Sequence, residues 1–308
     1  MSRRKKSLVR QRVEYTLYRV VATFTRRLSD KNILRWGHRL GWLAQMILRS
    51  RTRLAMRNLR ETLPSKSEHE LREILRACWH HFGREALVSI RMQTMSLEEI
   101  AARCPVINAH LLEEAIARGK GVILISAHYG AWEVGGLALM SLVKNVRAIT
   151  RPLDNEYLER DLAQIRSRTG AEVLDRRRAA REMLKALSEN AVIALLVDQA
   201  VLPREGVLVP FLGRDAWTTP VPAKMAARRG STIVFAFCIP HENGHRLEFE
   251  NPIRVDQLSA AELDPVVLTR RINDVISQRI AAHPELWLWM HDRWKATATG
   301  ESEGVNGE

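Results

Sequence analysis

Cysteine is scarce in this sequence, and its placement argues against two kinds of site. The three cysteines, Cys78, Cys104 and Cys238, lie far apart in the chain. They form no CxxC pair and no spacing typical of metal ligands. We therefore expect reduced thiols in the protein core, in a cytoplasmic setting. Histidines and carboxylates show no metal-ligand spacing either, so we expect a reaction that uses neither a metal ion nor a bound cofactor.

Long apolar runs are missing from the N-terminal part of the chain. Residues 8–28 and 32–48 place apolar side chains at helical spacing, but arginines interrupt both stretches. The longest uncharged run within them, 40–48, is far shorter than the roughly 20 residues that cross a bilayer. The basic N-terminus also lacks the compact apolar region and cleavage site of a signal peptide. The pattern favours amphipathic helices that lie at a membrane interface, and an ordinary helical cap on a soluble domain is the alternative.

Positive charge is concentrated at the N-terminus. The whole chain has a formal net charge of +13, and residues 1–60 contain 17 Lys and Arg against two acidic residues, Glu14 and Asp30. The rest of the chain is therefore close to neutral. A basic segment dotted with aromatic residues, beside a nearly neutral domain, favours binding to an anionic lipid surface. Nucleic acid is the less favoured partner, because no recognition module accompanies the charge.

From residue 105 onward, apolar runs alternate with helical patterns. This alternation predicts an α/β fold with a mainly parallel or mixed sheet flanked by helices, preceded by the N-terminal amphipathic helical segment. We divide the chain into basic helices at 1–63, an α/β domain at 64–296 and a disordered tail at 297–308. The expected strands are 106–107, 122–126, 146–150, 172–174, 191–197, 232–239 and 246–249.

His128 follows the expected strand 122–126, and Glu133 comes five residues later. Open α/β sheets bind ligands at the carboxyl ends of their strands. A neutral imidazole suits the role of general base toward a hydroxyl, and a carboxylate on its other nitrogen fixes the tautomer. The two side chains would diverge on one helix, so we expect His128 in an extended turn, a bend at Gly130, and Glu133 in the first helical turn. Backbone N–H groups of this turn would face an oxyanion or a phosphate. The alternative is a histidine that only caps the strand.

Further polar residues follow neighbouring strands. Arg151 comes after strand 146–150, and Asp198 and Gln199 come after strand 191–197, so all three are expected at the same sheet edge as His128. Arg166, before Gly170, is a weaker candidate for the same site. Their position at one sheet edge makes them a candidate ligand site.

Two other chemistries are disfavoured by the sequence. His80, His81 and Glu85 lie within about one helical turn, but adjacent histidines point about 100° apart on a helix, so packed or solvated histidines are expected rather than a metal site. The chain has no GxSxG segment, which argues against a serine esterase. Open alternatives are a hydrolase that uses the same histidine, and a lipid- or nucleic-acid-binding protein in which it is structural.

Several segments occur in an order that resembles a known family. They are HYGAWE at 128–133, TRPLDN at 150–155, RSRTG at 166–170, VDQ at 197–199, GVLVPFLGRDAWTT at 206–219 and HPELWLWMHDRWK at 283–295. Together they resemble the late acyltransferases of lipid A biosynthesis, the lauroyl and myristoyl transferases within the His-x4-Asp/Glu lysophospholipid acyltransferase group. The closing block is more specific than the His-x4-Glu motif.

The resemblance implies transfer of a fatty acyl chain from acyl carrier protein to a hydroxyl of a lipid A precursor, at the cytoplasmic face of the inner membrane. It implies that His128 is the general base, that Glu133 orients it, and that Arg151 and Arg166 bind acceptor phosphates or polarise the thioester. Asp198 and Gln199 would line the pocket. Residues 210–213 would shape the site or form a simple turn, and the tryptophans of the closing block would serve packing.

Overall fold

The structure is a computed structural model that describes residues 7–92, 95–148, 155–161, 172–173, 179–242 and 244–297. Ten labelled helices lie in these ranges, and residues 156–161 are helical as well. The labelled helices are α1 (Leu8–Arg26), α2 (Asp30–Ile47), α3 (Arg49–Thr62), α4 (Glu68–Met92), α5 (Leu97–Arg103), α6 (Ala109–Ala117), α7 (Trp132–Leu142), α8 (Ala179–Ser188), α9 (Val221–Arg229) and α10 (Pro265–Ala282).

Nine strands are described. They are β1 (Val106–Ile107), β2 (Val122–Ser126), β3 (Val146–Ala148), β4 (Glu172–Val173), β5 (Val192–Leu196), β6 (Val207–Phe211), β7 (Arg214–Thr218), β8 (Thr232–His241) and β9 (Gly244–Ile253). Seven form one sheet in the order β1-β9-β8-β2-β5-β3-β4, in which the β8–β9 pair is antiparallel and the other pairs are parallel. The expected α/β class, with a mainly parallel sheet flanked by helices, is confirmed.

Helices cover both faces of the sheet, and each face has its own apolar core. Ile123 and Ile125 of β2 point into one core, and Val122 and Leu124 point into the other. Because alternate residues of a strand face opposite sides, a strand between two helical layers must be apolar throughout. The first four residues of β2 are all buried, as this arrangement requires.

A hairpin of β6 and β7 was not predicted as strands. The two strands pair antiparallel, with Pro210 opposite Asp215, apart from the main sheet. Of residues 210–213, Pro210 and Phe211 lie in β6, and residues 212 and 213 form the turn of the hairpin with positive φ angles. Phe211 of this hairpin is fully buried, and its ring centroid lies 5.5 Å from that of Trp287. The hairpin thus packs against Trp287 of the closing block.

The N-terminal helices pack on the rest of the chain through one face and expose apolar side chains on the other. Helix α2 crosses α4 so closely that a Cβ on Gly83 would lie 2.3 Å from the carbonyl oxygen of Gly37. On the outer side, Trp42 is 56% exposed and Ile47 is 67% exposed. In the part of the chain that the structure describes, we find no helix both long and apolar enough to cross a membrane. The expected division at residue 63 stays a prediction.

Candidate active site

The site lies where two neighbouring parallel strands end. In the pairing of β2 with β5, Ser126 lies opposite Leu196. His128 and Asp198 each follow two residues later, so the register of the strands brings them side by side at the carboxyl edge of the sheet. His128 Nδ1 lies 2.9 Å from Asp198 Oδ1, and the backbone N–H of His128 donates to Asp198 Oδ2 at 3.0 Å.

Asp198 is a buried carboxylate that accepts three hydrogen bonds. Its side chain is 2% exposed. Besides the two contacts with His128, its Oδ2 accepts a hydrogen bond of 2.8 Å from the indole Nε1–H of Trp287. Burial raises the pKa of this carboxyl group, but the hydrogen bond and charge of His128 and the indole hydrogen bond outweigh burial and lower the pKa on balance. Asp198 is therefore an anion near neutral pH.

The anionic partner determines the tautomer of His128. A carboxylate accepts hydrogen bonds, so Nδ1 of the imidazole carries a proton and donates a hydrogen bond to Asp198. The other nitrogen, Nε2, then has a free electron pair in the neutral ring. Gln199 Nε2 lies 3.1 Å from it, and the His128 side chain is 19% exposed. The arrangement presents a basic nitrogen at the surface of the site, with an amide that donates to it in the resting state.

Burial lowers the pKa of His128, but the hydrogen bond and charge of Asp198, and then the charge of Glu133, raise it above its ordinary value on balance. The net direction favours the imidazolium form. A histidine in this setting takes up a proton readily and holds it beside a fixed negative charge, which is what a general base requires.

The contact expected between Glu133 and His128 is not the one found in the structure. The exposed Glu133 lies in the first turn of α7, as expected, but its Oε1 accepts from the indole Nε1–H of Trp132 at 3.1 Å. Both ring nitrogens of His128 contact other residues: Nδ1 contacts Asp198 and Nε2 contacts Gln199, which both follow β5. Glu133 lies on the side of α7. Glu133 acts on His128 through its charge, and its part in the reaction stays a prediction.

The turn between His128 and α7 is fixed by its backbone. Gly130 has a φ of +61°, and a Cβ there would lie 2.0 Å from the carbonyl oxygen of Cys238, so only glycine fits. The N–H groups of Gly130 and Ala131 donate to Leu286 and Cys238 carbonyls, both at 2.8 Å. The expectation that these N–H groups face an oxyanion is therefore wrong for these two residues, because the fold already uses them.

The closing block does more than pack, a role that its residue pattern alone does not indicate. Trp287 donates to Asp198, and His291 Nε2 accepts from the backbone N–H of Ala200 at 3.2 Å. The fully buried Arg293 donates to the carbonyl of Trp217 at 2.6 Å and lies within 3.4 Å of the Gln199 carbonyl. Burial lowers the pKa of Arg293 to about 10, while the charge of Asp198 opposes this shift. The segment thus holds the turn that follows β5.

The remaining predicted residues divide into two groups. Asp198 and Gln199 lie at the site, in contact with opposite nitrogens of His128. Arg151 and Arg166 lie outside the described residues, so their proposed contacts with substrate stay predictions. Tryptophans 289 and 294 are buried in the core beside Trp287, as the packing interpretation expected.

Residues 1–296 match the family model described as bacterial lipid A biosynthesis acyltransferase. The chain belongs to this family. It is 26% identical over 271 residues to the lipid A biosynthesis lauroyltransferase of Escherichia coli K12, covering 87% of each chain. It is 25% identical over 302 residues to the phosphatidylinositol mannoside acyltransferase of Mycobacterium tuberculosis H37Rv, covering 89% of this chain and 91% of the relative.

A third relative is the lipid A biosynthesis palmitoleoyltransferase of Escherichia coli K12, 24% identical over 270 residues with 86% of each chain covered. All three relatives are acyltransferases. The chain is an acyltransferase of this family, and its His128–Asp198 pair lies at the carboxyl edge of the sheet.

Proposed function

We propose that this protein transfers a fatty acyl chain from an acyl carrier protein thioester to a hydroxyl group of a lipid A precursor, as a late step of acylation. The observation that carries the proposal is the His128–Asp198 pair, with Nδ1 held by a buried carboxylate and Nε2 directed outward. Membership of the lipid A acyltransferase family supports the choice of acceptor. No metal ion or bound cofactor is needed for this reaction.

In the proposed reaction, His128 Nε2 removes the proton of the acceptor hydroxyl as its oxygen attacks the thioester carbonyl carbon. The imidazolium that forms is stabilised by the anionic Asp198, which itself stays unprotonated. The tetrahedral intermediate then expels the thiolate of the carrier, and the proton on Nε2 passes to this leaving group. One ester bond replaces one thioester bond, and His128 returns to its neutral form.

Gln199 has a role in the resting site under this proposal. Its amide nitrogen lies 3.1 Å from Nε2, at the position that the acceptor hydroxyl must reach. Gln199 is exposed, so its side chain is free to turn aside when the acceptor binds. The two arginines predicted from the sequence, Arg151 and Arg166, would bind the acceptor's phosphates, since the planar guanidinium matches phosphate geometry.

We further propose that the enzyme works at the cytoplasmic face of the inner membrane as a peripheral or monotopic protein. The exposed apolar side chains of α1 and α2 and the arginines between them support this location, because such a surface binds anionic lipid. The same basic region suits an acidic carrier protein. Nucleic acid is not proposed as a partner.

A second candidate acceptor is another glycolipid. The relative from Mycobacterium tuberculosis is named for phosphatidylinositol mannoside, and its match covers as much of this chain as the match to the lauroyltransferase.

The assay therefore tests both acceptors. Purified protein receives acyl carrier protein thioester alone, with a lipid A precursor, or with a mannosylated phosphatidylinositol, and products are identified by mass spectrometry, which also gives the chain length.

His128→Ala should abolish transfer and leave the thermal unfolding midpoint close to that of the wild type. The matched control is His283→Ala, which removes an imidazole with an exposed side chain outside the site. Free fatty acid without an acylated product would instead indicate a hydrolase. A near-normal rate with His128→Ala, or binding to anionic lipid without any turnover by the wild type, would contradict the proposal.

A further inference from the structure

A second group of titratable side chains lies buried close to the turn that carries His128. His81 and Glu85 belong to α4, and His245 lies near the start of β9; they are 7%, 4% and 5% exposed. Glu85 Oε2 lies 2.9 Å from His245 Nε2, and the guanidinium Nε–H of Arg84 donates to Glu85 Oε1 at 2.8 Å. The proposed proton transfer uses none of these groups, so their burial needs another explanation.

His81 makes the contact that reaches the site. Its Nε2 lies 3.2 Å from the carbonyl oxygen of Gly130. A carbonyl oxygen only accepts, so Nε2 of His81 carries the proton. Burial lowers the pKa of His81 to about 4, against the opposing charge of Glu85, so the ring is neutral near pH 7 with its single proton on Nε2. His81 is thus a fixed donor to the backbone.

The neighbouring histidine shows that this contact is specific. His80, one residue earlier on α4, stacks on His38 of α2 with 5.0 Å between ring centroids. The two histidines therefore face different neighbours, as their angular separation on the helix requires. Packed histidines were expected here, and the structure also gives His81 a defined hydrogen-bond partner.

Gly130 is the residue with positive φ in the turn that follows His128. The turn is tied to three parts of the chain. His128 N–H donates to Asp198 after β5, and Ala131 N–H donates to the Cys238 carbonyl of β8. In the closing block, the Leu288 N–H donates to the His128 carbonyl and the Leu286 carbonyl accepts from Gly130 N–H. The Gly130 carbonyl, on the same peptide as Ala131 N–H, points toward α4, where His81 donates to it. A glycine with positive φ allows its peptide plane to rotate more freely than other residues do. The donor from His81 and the Ala131–Cys238 hydrogen bond together hold this peptide plane.

Glu85 and His245 explain why α4 can supply this donor at a fixed distance. Their hydrogen bond joins α4 to β9, and β9 is paired with β8, whose Cys238 carbonyl also holds Ala131 of the turn. Glu85 is held as an anion: burial raises its pKa, but the hydrogen bond and charge of His245 and the charge of Arg84 lower it to about 2. The buried charge is therefore paired on two sides.

We propose that His81 is a positioning residue for His128: its Nε2–H fixes the Gly130 carbonyl and thereby the turn that aims the imidazole at the acceptor hydroxyl. The Glu85–His245 contact holds α4 against the sheet for this purpose. The inference rests on the proposed role of His128 as the base. His81 itself touches neither substrate nor the reacting atoms.

The test compares two amides at position 81. The side-chain nitrogen of glutamine reaches the place of Nε2, whereas that of asparagine ends near the place of Nδ1. We expect His81→Gln to keep kcat close to that of the wild type, and His81→Asn and His81→Ala to lower kcat by about tenfold to a hundredfold with little change in KM, as a misaimed catalytic group does. His80→Gln and His80→Asn are the matched controls on the same helix and should leave kcat unchanged.

A second readout needs no substrate. NMR titration of the His128 ring nitrogens should show a pKa above the ordinary histidine value in the wild type and in His81→Gln. In His81→Asn the pKa should fall, because a relaxed turn weakens the hydrogen bond between Nδ1 and Asp198. If the wild type shows no acyl transfer, the proposed function fails, yet this titration still tests the positioning.

The inference is overturned if folded His81→Asn keeps the wild-type kcat and the wild-type His128 titration. It is also overturned if glutamine and asparagine lower kcat equally while the His128 titration stays unchanged, because a general structural role would then account for the loss. If His81→Ala does not fold, the comparison of glutamine with asparagine decides.

Discussion

Replacement of Asp198 by asparagine is the most informative single change to the site. The two side chains have nearly the same shape, so the buried space stays filled. In the wild type, both carboxylate oxygens accept: Oδ2 from the His128 backbone and from Trp287, and Oδ1 from His128 Nδ1–H. Asparagine has one oxygen and one NH2 group, so it cannot accept at both positions.

The best arrangement keeps the asparagine oxygen at the position of Oδ2, where it accepts from two N–H groups. The NH2 group then faces Nδ1 of His128, which must become an acceptor. The proton of the neutral ring moves to Nε2, and the base loses the electron pair that it needs. A wrong tautomer held by an aspartate-to-asparagine change lowers kcat by about 10⁴ in the serine protease triad, and we expect a loss of about 10³ to 10⁴ here.

The same change shifts the pH dependence. In the wild type, Asp198 helps to raise the pKa of His128 above its ordinary value. His128 must be unprotonated to act as base, so the wild-type rate should rise with pH through a pKa above 6.5 and then level off. In Asp198→Asn the charge that raises the His128 pKa is absent. The residual activity should still increase with pH, but its increase should begin at a lower pH than in the wild type.

The contribution of His128 to folding stability depends on pH in the opposite sense to the rate, because it decreases as pH rises. A raised folded-state pKa means that the imidazolium stabilises the fold, and this contribution is fully present below the unfolded pKa and is lost as pH rises through the folded pKa. The lowered pKa of Asp198 contributes stability that is lost only as pH falls toward that pKa. The wild type should therefore gain more from this pair at pH 6 than at pH 9, and Asp198→Asn should lack this difference in urea unfolding.

The assay measures acyl transfer and the His128 NMR titration side by side, with Glu133→Gln as the matched control. Glu133→Gln also removes one carboxylate near His128, but the hydrogen bond and charge of Asp198 contribute more to the raised pKa than the charge of Glu133 does. Asp198→Asn should therefore lower the His128 pKa further than Glu133→Gln does. A folded Asp198→Asn protein with wild-type kcat and an unchanged His128 pKa would refute the assignment of Asp198.

Two further predictions concern the closing block and the N-terminal helices. Trp287→Phe keeps an aromatic ring in the core but removes the indole donor to the buried carboxylate, so we expect about 1.5–3 kcal/mol less stability in urea unfolding and a lower kcat in the transfer assay; unchanged values would contradict this role. Trp42→Glu with Ile47→Glu changes two exposed apolar residues of α2. Since each buried apolar side chain contributes about 1.5–3 kcal/mol, binding to anionic vesicles should fall by more than tenfold in co-sedimentation, with an unchanged unfolding midpoint; unchanged binding would exclude α2 from the membrane surface.

The fold was predictable where one local pattern sufficed. Strand β2 was predicted with its observed limits, because a fully apolar run between Gly121 and Ser126 suits a strand covered on both faces. The β6–β7 hairpin was not predicted as strands, because Pro210 lacks a backbone donor and argues against a strand in a central position. In a two-stranded hairpin each strand is an edge, so the proline is tolerated there.

The site was predictable only in part. His128 and Asp198 were placed at one edge from the order of strands, but their direct contact depends on the β2–β5 register, which pairs residues 70 positions apart. Glu133 was favoured as the partner of His128 because it is near in sequence. The direction of the imidazole is decided instead by the strand pairing, which turns Nδ1 toward β5. The donor role of Trp287 depends on where one indole N–H points, and a buried tryptophan alone gives no such information.

The contacts that fix His128 come from separate parts of the chain, and this explains why the His-x4-Glu spacing is weak by itself. Asp198 follows β5, Leu286 and Leu288 belong to the closing block, and the Cys238 carbonyl belongs to β8. Each contact joins segments far apart in the sequence, so the imidazole acquires its tautomer and its direction only in the folded state. A general base contributes to catalysis only when its nitrogen is held within hydrogen-bond reach of the proton it removes. The local motif therefore supplies the imidazole, while distant segments supply the contacts that orient it.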